Sequence, residues 1–159
     1  MDRIVVGITG ASGIPYGIRL LEVLKEFDVE VHLTCSPSAE LVNKHEGDGR
    51  SWKSVLALAD VVHDNDNLAA SIASGSFKVK AMAIVPCSGT TLGKLAAGIS
   101  DNLVTRAALV MLKEKNIGLN YCRVKAFPFS KSVREFVDKH DQIYVVEQNR
   151  DAQLRSLLM

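Results

Sequence analysis

Residues 4–17 read Ile4-Val5-Val6-Gly7-Ile8-Thr9-Gly10-Ala11-Ser12-Gly13-Ile14-Pro15-Tyr16-Gly17. An uncharged apolar run over 4–8 gives way to a turn of small residues and then to a helix starting near Pro15. A strand that turns directly into a helix leaves backbone N–H groups unpaired at the helix start, and the helix dipole favours an anion there. Gly10, Ala11 and Gly13 let a phosphate approach the backbone, and Ser12 adds a hydroxyl donor. The plainer alternative is a tight βα turn that holds nothing. The spacing sets this turn apart from two familiar phosphate loops. Ile14-Pro15 stands where a Walker loop needs Lys-Ser/Thr, and Gly7, Gly10 and Gly13 do not fit G-x-G-x-x-G.

Working outward, apolar runs at 4–8, 29–35 and 80–86 alternate with helical patterns at 15–27, 37–45, 91–97 and 102–115. This alternation predicts a parallel α/β sheet. Residues 61–62 read as a short extended piece, 52–58 and 68–73 as short helices, and Asp101 as an N-cap. The tail predicts strands at 119–127 and 142–147 and helices at 131–139 and 151–158, for a sheet of about five strands. Ligands of open parallel sheets sit beyond the carboxyl ends of the strands. That rule gathers Gly10, Ala11 and Ser12 with Ser36 and Ser38, and with Ser88 and Thr91.

One domain over 1–159 is expected from a chain of 159 residues with net charge +1. That charge argues against nucleic acid and anionic membranes as partners, and no apolar run is long enough to span a bilayer. The chain enters a strand at once, so a signal peptide is not expected and the cytoplasm is. Cys35, Cys87 and Cys122 form no C-x-x-C pair, which argues against a zinc site or a disulfide framework. His63, Asp64 and Asp66 read as a polar loop in preference to a metal or acid–base cluster, and no metal is expected. Tyr121 and Lys125 have the spacing of a dehydrogenase Tyr-x-x-x-Lys pair, which keeps a nucleotide-dependent dehydrogenase as a third reading. In a strand, however, residues four apart lie too far along the chain to share a proton.

The residues from Ile8 to Leu21 resemble the start of the UbiX-type flavin prenyltransferases, formerly described as aromatic-acid decarboxylases. The resemblance continues through residues 36–46, Ala73-Ser74-Gly75-Ser76-Phe77, Pro86-Cys87-Ser88 with Thr91-Leu92, and Asp101-Asn102-Leu103-Val104-Thr105-Arg106-Ala107-Ala108 to Lys113. It implies a flavodoxin-like αβα sandwich that binds FMN and moves a dimethylallyl group from dimethylallyl phosphate to reduced FMN, making the cofactor of a partner decarboxylase. It also implies a homo-oligomer, a trimer or dodecamer. By the same resemblance Ser12 lies at the reactive edge of the flavin, Ser36 contacts FMN, and Ser88 and Thr91 meet flavin and phosphate. Glu46 handles protons, and Arg106 and Lys113 hold phosphate. Arg106 and Lys113 are seven apart on one predicted helix and so share a face. A fork of guanidinium donors and an ammonium point charge suit a departing phosphate.

Beyond Lys115 the chain departs from that pattern. Arg123 falls at a family arginine by ungapped count, but Cys122 and Val124 replace its neighbours. Residues 121–158 instead resemble the end of the alpha subunit of 2-oxoacid:ferredoxin oxidoreductases, through Arg123-Val124-Lys125-Ala126-Phe127-Pro128-Phe129 and residues 143–151. A chimeric chain with a junction near 113–120 is therefore expected. The second functional reading is a flavin-binding or structural chimera without catalysis.

Overall fold

The computed structural model describes residues 1–118, 120–122, 124, 127–145 and 153–158. They fall into two compact units, residues 1–121 and 122–159.

The first unit is built on a parallel sheet of β1 (Asp2–Ile8), β2 (Val29–Cys35), β3 (Val61–His63) and β4 (Ala81–Ile84), in the order β3-β2-β1-β4. With the three-residue edge strand β3 set aside, the core order is the 2-1-3 of flavodoxin-like sheets. Side chains alternate across the sheet. On one face Val6, Ile8, Val31 and Leu33 pack against Ile14, Ile18 and Leu21 of α1 (Ile14–Leu24), with Ala39 of α2 (Pro37–Glu46) and Val55 of α3 (Trp52–Leu56). On the other face, Val5 packs with Ile72 and Ala73 of a 3₁₀ turn and with Leu103 and Ala107 of α5 (Leu103–Glu114). The remaining helix of this unit is α4 (Gly89–Ala96). Helices thus cover both faces, and the strands' carboxyl ends are left for the connecting loops.

Gly17 sets how closely α1 approaches the sheet. A Cβ there would lie 2.2 Å from the Val85 carbonyl oxygen, so any side chain would push the helix away from the end of β4.

Two details differ from the sequence reading. Asn102, not Asp101, caps α5: its side chain accepts from the Thr105 N–H at 3.0 Å, and Thr105 completes a capping box. The Asp101 carboxylate is drawn away by an ion pair with Lys94. The sheet also has four strands instead of about five. The extended piece at 61–62 joins it as β3, whereas residues 120–122, 124 and 142–145 form no strand. The rest of the predicted tail strands (119, 123, 125, 126, 146 and 147) lies outside the described residues. A run becomes a strand only where it finds a sheet edge to pair with, and the described residues of these two runs pair with none of β1 to β4. In the second run Ile143 and Tyr144 are exposed.

The second unit contains α6 (Lys131–Asp138) and α7 (Gln153–Leu158), neither with a buried residue. Among the described residues no helix is long and apolar enough to cross a membrane.

Candidate functional site at the carboxyl rim of the sheet

The sheet order reverses direction between β1 and β4, and the loops after β1, β2 and β4 meet beyond their carboxyl ends. Hydrogen bonds tie the three together. Thr9, buried where β1 ends, donates its hydroxyl to the Pro86 carbonyl at 2.8 Å and accepts the Ser88 N–H at 2.8 Å. Its own N–H donates to the same carbonyl at 3.1 Å. The Gly10 N–H donates to Ser36 Oγ at 3.0 Å, and the Ser36 and Ser38 hydroxyls lie 3.1 Å apart. Gly10 cannot be replaced freely, because a Cβ there would stand 2.1 Å from Ser38 Oγ and 2.4 Å from Ser38 Cβ. The absence of a side chain at Gly10 therefore lets the first two loops close on each other.

Glu46, the last residue of α2, crosses to the first loop. Its carboxylate accepts from the Ser12 hydroxyl at 2.7 Å and from the Gly13 N–H at 2.9 Å. The Ser12 bond, followed by the Gly13 amide, holds the Glu46 carboxyl below the usual carboxylate range. In the third loop Ser88 caps α4: its Oγ accepts from the Thr91 N–H at 3.1 Å and lies 2.9 Å from Thr91 Oγ1.

The structure thus brings together Gly10, Ala11, Ser12, Ser36, Ser38, Glu46, Ser88 and Thr91. Arg106 and Lys113 are both exposed on α5 and neither forms an ion pair with a described residue. Arg106 stands in the first turn of α5. That end of the helix is anchored to the rim beyond β3, where the Leu103 N–H donates to the Asn65 carbonyl at 2.7 Å and the Val104 N–H to Asn65 Oδ1 at 3.2 Å. Lys113 is two turns further along, about 10 Å down the axis at 1.5 Å per residue. Arg123 lies outside the described residues.

Neighbouring groups are chemically quieter. Burial pushes the Cys35 thiol up to about 12 and raises that of Cys87, so neither offers a thiolate near neutral pH. His63 lines a cavity of about 410 Å³ with Cys35, Trp52 and Asp64. Its Nε2 lies 2.8 Å from Nδ1 of the buried His32, and burial followed by the His32 charge lowers its pKa. Among the described residues no three His, Cys, Asp or Glu side chains converge as a metal site requires.

The Flavoprotein family profile matches residues 1–125. This chain belongs to the Flavoprotein family. Among its relatives is the flavin prenyltransferase UbiX of Deinococcus radiodurans, 51% identical over 113 residues, which are 71% of this chain and 57% of that protein. The Escherichia coli K12 enzyme of the same name is 50% identical over 116 residues, 72% of this chain and 61% of that one. The chain spans about three fifths of the length of the curated relatives it matches. A solved structure described as AnUbiX (PadA1) in complex with FMN and dimethylallyl pyrophosphate superposes with a TM-score of 0.71 at 42% identity, covering 82% of this chain and 68% of that one. A dodecameric FMN-dependent UbiX-like decarboxylase from Escherichia coli O157:H7 superposes with a TM-score of 0.69 at 41% identity, covering 81% and 69%. The UbiX-type resemblance of the sequence is thereby established, and the fold is flavodoxin-like.

Within this Flavoprotein family domain, sequence reasoning passed over Thr9 and Asn65. The signal for Thr9 was a hydroxyl placed one residue past an apolar strand, where a side chain can bridge two loops. For Asn65 it was an Asx residue following a short extended piece, a common backbone-capping position.

Proposed function

We propose that this protein binds FMN at the three-loop rim and is a flavin prenyltransferase-type enzyme, passing a dimethylallyl group from dimethylallyl phosphate to reduced FMN. The observation that carries the proposal is the hydrogen-bonded closure of three hydroxyl-bearing loops on one sheet rim, in a chain that is 50% identical to a flavin prenyltransferase over 116 residues. The donors there fit a flavin mononucleotide. Ser36, Ser38, Ser88 and Thr91 offer hydroxyls, and the Ser12 and Ile14 N–H groups have no partner among the described residues. Gly10, Ala11, Ser12, Ser36, Ser38, Ser88, Thr91, Arg106 and Arg123 would hold the cofactor. Reduced FMN would supply the nucleophilic ring atoms.

The chain's own residues would do the rest. Ser12 already donates its hydroxyl proton to Glu46, so its oxygen faces the rim as an acceptor and can pass a proton on to the carboxylate. Glu46, held ionised, is suited to receive that proton. Arg106 and Lys113, with no carboxylate among the described residues to neutralise them, would stabilise the departing phosphate. Dimethylallyl phosphate is the proposed donor and the product would serve a partner decarboxylase. A cytoplasmic homo-oligomer, trimeric or dodecameric, is the matching assembly. The test is to incubate the protein with reduced FMN and dimethylallyl phosphate and look for the mass of the prenylated flavin.

A second reading is an FMN-binding or structural chimera without transfer. One observation favours it: residues 122–159 form a compact unit of their own. A junction near 113–120 would then separate a flavin-binding part from a replaced tail. Flavin bound without any adduct selects this reading.

A further inference from the structure

Two of the N–H groups that open α5 are taken by a residue far away in sequence. The Leu103 N–H donates to the Asn65 carbonyl at 2.7 Å and the Val104 N–H to Asn65 Oδ1 at 3.2 Å, while Asn102 accepts that of Thr105. Asn65 is buried, and it follows β3, which ends two residues earlier at His63. Arg106 stands on the turn of helix so held.

β3 is a three-residue strand at the edge of the sheet, paired with β2. At its carboxyl end a side-chain bond crosses to β2: His63 Nε2 lies 2.8 Å from Nδ1 of the buried His32, and the two rings stack 5.2 Å apart. The other nitrogen of His32, Nε2, is buried with no hydrogen-bond partner among the described residues, 3.6 Å from Glu30 Oε2 on the same strand. That oxygen already accepts from Arg3 Nε of β1 at 2.9 Å. The Arg3 guanidinium lies over Phe77, whose ring meets His32 edge-on. Around His63, the carboxylates of Asp64 and Asp66 and the un-ionised thiol of Cys35 line the same cavity. α5 and the 3₁₀ turn pack on this face of the sheet through Leu103, Ala107 and Ile72.

A bond between two imidazoles needs one facing nitrogen protonated and the other bare. The neutral pair meets that need, and so does a pair carrying one added proton, whose charge Glu30 favours. A second added proton sets two N–H donors and two like charges against each other across 2.8 Å. Burial, followed by the His32 charge, already lowers the His63 pKa.

We propose that His32, His63 and Asn65 form a proton-sensitive latch that sets the place of Arg106. With the imidazoles bonded, β3 keeps Asn65 against Leu103 and Val104. With both protonated, the end of β3 parts from β2, Asn65 leaves the helix, and Arg106 loses its fixed position. Asn65 is thus a positioning residue that acts on phosphate through Arg106. That consequence rests on the reading above, in which Arg106 holds phosphate; the latch itself does not.

The test compares the whole chain at about pH 7.5 and about pH 5.5, on either side of the ordinary histidine range. Amide hydrogen exchange is read as protection factors, which divides out the intrinsic effect of pH. In wild type, protection at Leu103 and Val104 should fall at least tenfold at the lower pH, while Val6 and Leu33 in the sheet stay within threefold. His63→Gln, whose amide can bond His32 but takes up no proton, should keep Leu103 and Val104 protected at both. Asn65→Ala should leave them unprotected at both, and Asn65→Asp, which keeps the acceptor oxygens, should restore protection at the higher pH. A second arm titrates sulfate, which stays dianionic across this range, by calorimetry. Its binding should weaken at least fivefold at the lower pH in wild type, hold steady in His63→Gln and vanish in Arg106→Ala. The proposal is overturned if Leu103 and Val104 of wild type stay protected at the lower pH, if His63→Gln loses protection as wild type does, or if Val6 and Leu33 lose theirs equally. A sulfate affinity that ignores pH in wild type overturns the link to Arg106. If sulfate binds no form but exchange behaves as stated, the phosphate role of Arg106 fails and the latch stands.

Discussion

Replacing Gly10 with alanine should separate the first two loops of the rim. The added methyl would stand 2.1 Å from Ser38 Oγ, 2.4 Å from Ser38 Cβ and 3.1 Å from the Ser38 carbonyl carbon. Rotating the serine hydroxyl away relieves only the first of these. The loop backbones must therefore part by roughly 1 Å, the gap between 2.4 Å and an ordinary carbon–carbon contact of about 3.5 Å. Overpacking of this kind costs about 1–3 kcal/mol. Losing the 3.0 Å bond from Gly10 N–H to Ser36 Oγ adds about 0.5–1.5 kcal/mol, so Gly10→Ala should destabilise by about 1.5–4.5 kcal/mol. Urea denaturation followed by circular dichroism measures that loss, and quenching of FMN fluorescence measures the accompanying loss of flavin affinity. Ser38→Gly supplies the control, since it removes both of the nearest atoms. In that background Gly10→Ala should cost at least about 1 kcal/mol less, a coupling that a double-mutant cycle isolates. A loss below about 0.5 kcal/mol, or no coupling to Ser38, would refute the interlocked-loop geometry.

Other consequences are simpler to state. Arg106→Ala should weaken binding of dimethylallyl phosphate by about 1.5–3 kcal/mol, the scale of a charged hydrogen bond, while leaving the circular dichroism spectrum alone; isothermal titration reads it, and an unchanged affinity removes Arg106 from the site. Asn102→Ala should cost about 1 kcal/mol of stability through loss of the α5 cap, and Asp101→Ala less, which chemical denaturation distinguishes. His63 has a lowered pKa in the folded protein, so the unfolded chain takes up more protons near pH 6.5 and the folded state should lose stability as pH falls below that value. His63→Asn should flatten this part of a plot of denaturation midpoint against pH. Glu46 works in a lower window: its folded pKa is depressed, so its contribution is present above about pH 4.5 and fades as pH drops through the folded value.

Much of the first unit was legible because its signals are local. Strands such as Val29–Cys35 alternate apolar with polar side chains between turn residues, and α5 announces itself by periodicity. β3 was weaker, since three residues are too few to display a period and its place beside β2 depends on pairing. The cap of α5 was misread by one position: Asp101 and Asn102 are both good caps, and only the partner of Asp101, Lys94, decides between them. In the described part of the tail the expected strands are absent for a tertiary reason, since a run becomes a strand when it finds an edge to pair with. At the rim, the strand-end rule identified the loops, but it could not show that Thr9 bridges Pro86 and Ser88. Nor could it show that Glu46 reaches across to Gly13. Both contacts join residues far apart in sequence, and no spacing rule encodes them.

The central claim, that three hydrogen-bonded loops on one sheet rim hold a flavin mononucleotide, is tested most directly by titrating the purified protein with FMN and recording flavin absorbance and fluorescence. Saturable, stoichiometric binding with a perturbed flavin spectrum, weakened together by Ser36→Ala and Ser88→Ala, is the predicted result. A protein that leaves the spectrum of free FMN unchanged at every concentration would contradict it.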